Sequence, residues 1–241
     1  MKVPLAVWFL FGVRAVASRS RLKSNRDWVI PVIVALFLLV AMLGSKRNYG
    51  FRYLLPMAVP AIVWTSALAE GGRWLRRLSA LGLLGLAVTL ALNHPRELVY
   101  FNELAGGTIG GRKILADSNL DWGQGAKSLA RLQRTRPEFR DLTLFYFGDI
   151  DPARFGVEGV RVIFDANRTP AGLTPELQAE TRYLAVSASL QWGPWGPPGY
   201  FASLDSLTPV AYTEDTSIAI YRTDDWRRSV LGRVKTGRAP E

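Results

Sequence analysis

Four apolar runs crowd the first 92 residues of this 241-residue chain: 3–17 (VPLAVWFLFGVRAVA), 28–44 (WVIPVIVALFLLVAMLG), 54–69 (LLPMAVPAIVWTSALA) and 78–92 (LSALGLLGLAVTLAL). Each is at or just below the roughly 17 residues that cross a bilayer core, and flanking Trp, Tyr and Arg can extend it at the interfaces. Four such runs separated by short basic loops predict a membrane all-α bundle of about four transmembrane helices over residues 1–92. A signal peptide does not fit residues 1–17, because further runs follow and no small-residue cleavage site stands out.

The chain carries 30 Lys and Arg against 20 Asp and Glu, a net charge of +10. Residues 1–92 hold 12 basic and 2 acidic side chains, whereas residues 93–241 hold 18 of each. The excess therefore flanks the apolar runs, as in membrane proteins, and argues against a soluble nucleic-acid binder. Segments 18–27 (SRSRLKSNRD) and 70–77 (EGGRWLRR) hold four and three basic residues and are expected in the cytoplasm. The loop 45–53 (SKRNYGFRY) and everything after residue 92 are then expected outside. Lys46, Arg47 and Arg52 on that outer side run against the usual bias, which points either to phosphate binding or to headgroup anchoring. The same topology puts Met1 outside before a weakly flanked first run, so upstream helices are expected to be missing.

Cysteine is absent and His94 is the sole histidine. These counts exclude disulfides, thiol nucleophiles, a Ser-His-Asp triad and Cys- or His-rich metal sites. No metal ligand set and no cofactor is expected.

From Asn93 the pattern changes to short β-rich runs alternating with polar helical stretches, the mark of an α/β domain over 93–226. Strands are expected at 112–116, 142–147, 160–164, 182–188 and 217–222. Helices are expected at 122–135, 151–156, 174–180 and near 200–205. Residues 227–241 read as a basic, disordered tail.

Segment 117–124 (DSNLDWGQ) spaces Asp117, Asn119 and Asp121 by two. It is not a calcium loop, since glycine falls at the seventh position and Ser128 replaces the closing Glu. Two readings stay open: a capping turn, with Asp121 and Gln124 as a capping box, or a polar pocket of Asp117, Asn119, Asp121 and Gln124 for a sugar or lipid headgroup at the end of a strand. The glycines of 100–111 (YFNELAGGTIGG) do not match a dinucleotide fingerprint and are expected to turn the chain into the soluble domain. Trp192, Trp195 and Tyr200 lie in a Pro/Gly loop, where they serve sugar stacking, a lipid interface or the domain's own core. His94-Pro95 reads as a boundary.

The run 99–124, VYFNELAGGTIGGRKILADSNLDWGQ, resembles a stretch of the bacterial dolichyl-phosphate-mannose protein mannosyltransferase-like glycosyltransferases, phospholipid carrier-dependent enzymes of the GT-C fold. GFRYLLP at 50–56 resembles that family's Arg-Tyr-x-x-Pro element, and SIAIYR at 217–222 its closing strand. The resemblance covers about residues 45–222. It implies a polyprenyl-phosphate sugar as donor substrate, used on the outer face of the cytoplasmic membrane, with Arg52 and Tyr53 near the donor phosphate; Lys46 and Arg47, which no motif assigns, are expected to add positive field. The family's acidic external loop has no counterpart here. The chain is thus expected to be a C-terminal portion, lacking the catalytic N-terminal half and inactive alone. A non-catalytic, membrane-anchored glycan-binding or scaffold module is the alternative.

Overall fold

The computed structural model describes residues 2–19, 29–43, 55, 57–115, 120–162, 181–193 and 199–236. The chain divides into two compact units, residues 1–107 and 108–241, in place of the expected join at residue 93.

The first unit is helical: α1 (Leu5–Arg19), α2 (Val29–Leu43), α3 (Ala58–Ser66) and α4 (Arg73–Asn93). Here the expectation of four transmembrane helices is corrected, and with it the proposed GT-C-like bundle. Among the described residues one helix, α4, is long and apolar enough to cross a membrane. Its 21 residues reach about 31 Å at 1.5 Å per residue, against a hydrocarbon core of about 30 Å. The 15-residue helices α1 and α2 reach only about 22 Å, and the nine residues of α3 about 13 Å.

Near the end of α3, Thr65 Oγ1 donates to Ala61 O at 2.6 Å and Ser66 Oγ to Val63 O at 2.7 Å. The chain turns there, with Leu68 N–H donating to Thr65 O. Run 78–92, by contrast, gains length because its helix starts at Arg73, taking in Trp74, Arg76 and Arg77.

Small residues let α1 and α4 approach. A Cβ on Gly82 would lie 2.4 Å from Leu10 Cδ2, and one on Gly85 would lie 3.4 Å from Ala6 Cβ. The two glycines form a notch on α4 that receives Ala6 and Leu10, neighbours one turn apart on α1. Arg14 on α1 is buried; its Nε donates to Trp64 O at 3.1 Å and its guanidinium lies 5.7 Å from the Trp64 ring centroid. Beyond α4, Lys2 Nζ donates to Leu98 O at 2.6 Å and Asn102 Nδ2 to Val3 O at 2.9 Å, which ties the first residues to the segment after α4.

The second unit carries α5 (Gly107–Ile114), α6 (Gly125–Thr135), β1 (Leu142–Phe145), β2 (Val160–Val162), β3 (Tyr183–Ser187), α7 (Ala188–Trp192), β4 (Ala211–Tyr212), β5 (Ile218–Arg222) and α8 (Thr223–Thr236). The strand order is β2-β1-β3-β5-β4. The β1–β2 and β1–β3 pairs are parallel, and β5 runs antiparallel to β3 and β4. Period-two alternation splits the buried side chains between two faces. Leu142, Leu144, Tyr183, Ala185, Ile218 and Ile220 meet Ala126 and Leu129 of α6 together with Phe139. Phe145, Leu184, Val186, Ala219 and Tyr221 meet Leu190 of α7, Phe201, Leu204 and Trp226 of α8.

Three expectations change in this unit. Of the strand expected at 112–116, residues 112–114 instead form the last turn of helix α5. Gly106 and Gly107, both at positive φ, turn the chain into it, and Arg112 and Lys113 sit in its last turn, where cations are favoured. The stretch from Arg227 belongs to α8 as far as Thr236, and the remaining residues lie outside the described ones. Trp226 anchors that helix: it is 2% exposed and donates from Nε1 to Ser203 Oγ at 2.9 Å. Asp224 and Asp225 in its first turn pair with Arg227 and Arg228. Trp192 lies in helix α7, while Tyr200 packs against Phe145 and Phe201. The expected helix at 174–180 and Trp195 lie outside the described residues.

Candidate functional site at the carboxyl edge of the sheet

From β1 the chain reaches β2 on one side, and β3 then pairs on the other side of β1. The carboxyl ends of β1 and β3 therefore border a topological switch point, the place where open α/β sheets seat ligands. Phe147 N–H, just past β1, donates to Ser187 Oγ at the end of β3, at 3.0 Å. Because β5 is antiparallel to β3, its first residues lie at the same edge; Ala188 N–H donates to Ser217 O at 2.7 Å.

Buried charge collects here. Asp121, in the turn before α6, is 0% exposed, and its Oδ1 accepts from Gly123 N–H at 2.8 Å. Gly123 sits at φ +87°, and a Cβ there would lie 2.7 Å from Tyr146 Oη, so a side chain is barred both by conformation and by space. Tyr146 OH donates to Gly123 O at 2.5 Å and pins the turn to β1. Gln124 belongs to the outer part of this turn: its Oε1 accepts from Trp122 N–H at 2.6 Å and its Nε2 donates to Leu120 O at 2.8 Å. The expected capping box is thus replaced by two local side-chain turns, and no side chain caps α6.

Asp215, in the β4–β5 turn, accepts from Ser217 Oγ at 2.7 Å on Oδ2. Arg112 on α5 is 2% exposed. Its Nη1 donates to Thr216 O at 3.2 Å, and its guanidinium lies 5.2 Å from the Tyr212 ring centroid. Thr216 holds φ 56°, a strained value for a β-branched residue. Tyr221 OH donates to Gln191 Oε1 at 3.1 Å, and Lys113 Nζ lies 5.4 Å from the Trp192 ring centroid.

Burial pushes the Asp121 carboxyl up to about 7, and the charge of Asp215 adds to that push. The Gly123 N–H, Ser187 and the Arg112 charge temper it. Burial likewise lowers the Arg112 guanidinium and raises the Tyr221 hydroxyl. Arg112 makes no ion pair with either aspartate within 4 Å, although both lie close enough to act on it electrostatically.

Of the polar pocket expected from the sequence, Asp121 enters this cluster and Gln124 stays in the turn above it. Asp117 and Asn119 lie outside the described residues, as do Lys46, Arg47, Arg52 and Tyr53. Arg112, Asp215, Ser187, Tyr212 and Tyr221 escaped the sequence reading. Only Arg112 had a signal there, as a cation inside a glycine-rich, largely apolar stretch. Among the described residues no group of three or more His, Asp or Glu is placed to hold a metal ion. Compared with protein-family models, curated proteins and solved structures, the chain matches none of them.

Proposed function

We propose that this chain is the C-terminal portion of a membrane glycosyltransferase that takes a sugar from a polyprenyl-phosphate donor on the outer face of the cytoplasmic membrane. The observation that carries the reading is helix α4: it has the length of a bilayer core and holds Leu81, Leu83, Leu84, Val88, Leu90 and Leu92 exposed. Apolar surface on that scale marks a lipid or partner-facing surface. The resemblance of 99–124 and 50–56 to carrier-dependent glycosyltransferases supports the chemistry.

In this reading Arg52 and Tyr53 bind the donor phosphate, and Lys46 and Arg47 add positive field. Arg suits that role because its planar fork bonds phosphate oxygens in pairs. Negative charge grows on the phosphate as the sugar leaves, and a fixed cation stabilises that change. The acid or base of the reaction is not assigned to this chain.

The test is transfer from radiolabelled polyprenyl-phosphate monosaccharides in proteoliposomes holding the full-length protein, with and without Arg52→Ala. Loss of transfer by the variant, with unchanged circular dichroism, supports donor binding. Equal transfer by both removes Arg52 from the reaction. Absence of transfer by either supports the second reading, a membrane-anchored glycan-binding or scaffold module. That reading draws on the buried polar cluster, which the α/β unit builds from its own residues.

A further inference from the structure

We propose that the first turns of α4 are a docking surface for acidic phospholipid, with the headgroup phosphates taken by Arg73, Arg76 and Arg77 and the acyl chains by the apolar face that continues from them. The proposal rests on the membrane reading above and adds to it a lipid class and the residues that select it.

Helix α4 has two sides. Gly82 is buried where Leu10 of α1 packs. The opposite side is open: Trp74 is 74% exposed, Leu81 and Leu84 60%, and Leu92 71%. Arg73, Arg76 and Arg77 are exposed with them. At about 3.6 residues per turn, Arg73, Arg77, Leu84 and Val88 fall within roughly 60° of one another around the axis, with Arg76 and Trp74 flanking them. Cations and apolar side chains thus share one open face, in two zones. Arg73 to Arg77 span about 6 Å of the axis, close to the depth of a headgroup layer, and Leu81 to Leu92 about 17 Å. No charged residue interrupts the helix between Arg77 and Asn93. Past Asn93 the signs are mixed, with Arg96 next to Glu97 in the chain.

The helix itself does not account for the arginines. It opens on Gly72, with no side-chain cap and no acidic residue in its first turn. The helix dipole is positive at that end and disfavours cations there. Among the described residues no carboxylate lies within 4 Å of the three guanidinium groups, although Glu70 is exposed just ahead of the helix. The Arg77 guanidinium lies 5.3 Å from the Trp74 ring centroid, which sets among the charges an indole, a side chain that favours the membrane–water interface. The cations call for anions, and the face they share says which. A nucleic acid or an acidic protein would meet the arginines and leave Leu81, Leu84 and Val88 in water. An acidic phospholipid meets both zones, since its phosphate oxygens accept paired N–H bonds from a guanidinium while its chains cover the leucines.

The test reconstitutes the full chain in phosphatidylcholine vesicles with a trace of spin-labelled lipid. Electron paramagnetic resonance then compares labelled phosphatidylglycerol with labelled phosphatidylcholine in the motionally restricted shell around the protein. The parent is expected to favour the acidic lipid about fivefold or more at low salt, the gain from one cation near an anionic surface, and to lose most of that preference at high salt. Arg73→Gln, Arg76→Gln and Arg77→Gln together are expected to abolish it, and Arg73→Lys, Arg76→Lys and Arg77→Lys together to keep most of it. Removing equal charge from the α/β unit, by Arg131→Gln, Arg134→Gln and Arg140→Gln, is expected to leave it intact. Absence of the preference in the parent overturns the proposal. So does its survival in the folded triple Arg→Gln variant of α4, or its loss through the α/β-unit variant. Should the α4 triple variant not fold, the three single Arg→Gln variants decide: each is expected to lose part of the preference, and three unaltered singles overturn the proposal. Retention of polyglutamate by these arginines without a lipid preference makes an acidic protein the occupant and overturns it likewise. Sugar transfer by a chain that does not favour acidic lipid leaves the glycosyltransferase reading standing alone. Acidic-lipid preference without transfer removes that reading and leaves this surface.

Discussion

In the α/β unit, Phe145, Leu184 and Ile220 are sealed between a sheet and its helices, while in the helical unit Leu81, Leu84 and Leu92 project from α4 with more than half of their surface exposed. The contrast extends to charge. The α/β unit hides Arg112, Asp121 and Asp215 at one sheet edge, and the helical unit buries Arg14 against a backbone carbonyl and an indole. Water can drive the first kind of burial by itself. The second arrangement leaves a contiguous apolar surface of the size that marks lipid- or partner-facing sites elsewhere. The two units thus differ in how much apolar surface they leave uncovered.

The largest effect that sharpens this contrast is expected in the sheet. Phe145→Ala should cost about 3–5 kcal/mol, as aromatic truncations in cores do, read from urea unfolding followed in the near-UV. Leu84→Ala on α4 should change the same transition by less than about 0.5 kcal/mol. Equal losses would break the distinction. Next in size, Leu84→Arg should cost about 2.5–3.5 kcal/mol of apparent membrane insertion, scored by the inserted fraction in microsomes. An unchanged fraction would place α4 in water and end the contrast from the other side.

A third expectation concerns pH. An unfolded aspartate ionises near pH ~3.9, whereas burial holds Asp121 to about 7. Between those values the folded state keeps a proton that the unfolded state has lost. Stability from this group is therefore full at the acid end, declines as pH rises through the window and stays low above it. Asp121→Asn should flatten the decline in a series of unfolding midpoints from acid to neutral pH. A variant with the same slope as the parent would show that Asp121 is not the group responsible. Smallest is Gly125→Ala, where the new Cβ would lie 2.2 Å from Ser217 Oγ. The overpacking should cost about 1 kcal/mol or somewhat more, visible as a lower thermal midpoint with the sheet's circular dichroism retained.

These same residues show what a reader of the sequence could see. The strands around Leu144, Ala185 and Ile220 were legible because alternation and β-branched content announce a buried strand. The helix ending in Arg112 and Lys113 was not, since a short run such as RKILA suits either state and the deciding influence was the glycine turn before it. The apolar runs were visible, but their helical lengths were not. An early start at Arg73, ahead of the apolar run, alters a helix without altering hydropathy. At the site, Asp121 stood out by its spacing, while Asp215 and Arg112 are distant in sequence and come near each other only once the β4–β5 turn folds against α5. Long-range pairing of that kind leaves no local mark.

The notch at Gly82 and Gly85 also sets an order of events. A ribosome makes α1 long before it makes the glycines that receive Leu10 and Ala6, and the Asn102 amide that holds Val3 comes later still. During synthesis α1 therefore waits with that face unmatched. The first unit closes only as the α/β unit begins to emerge. A stall in translation just before residue 82 would leave α1 without its seat.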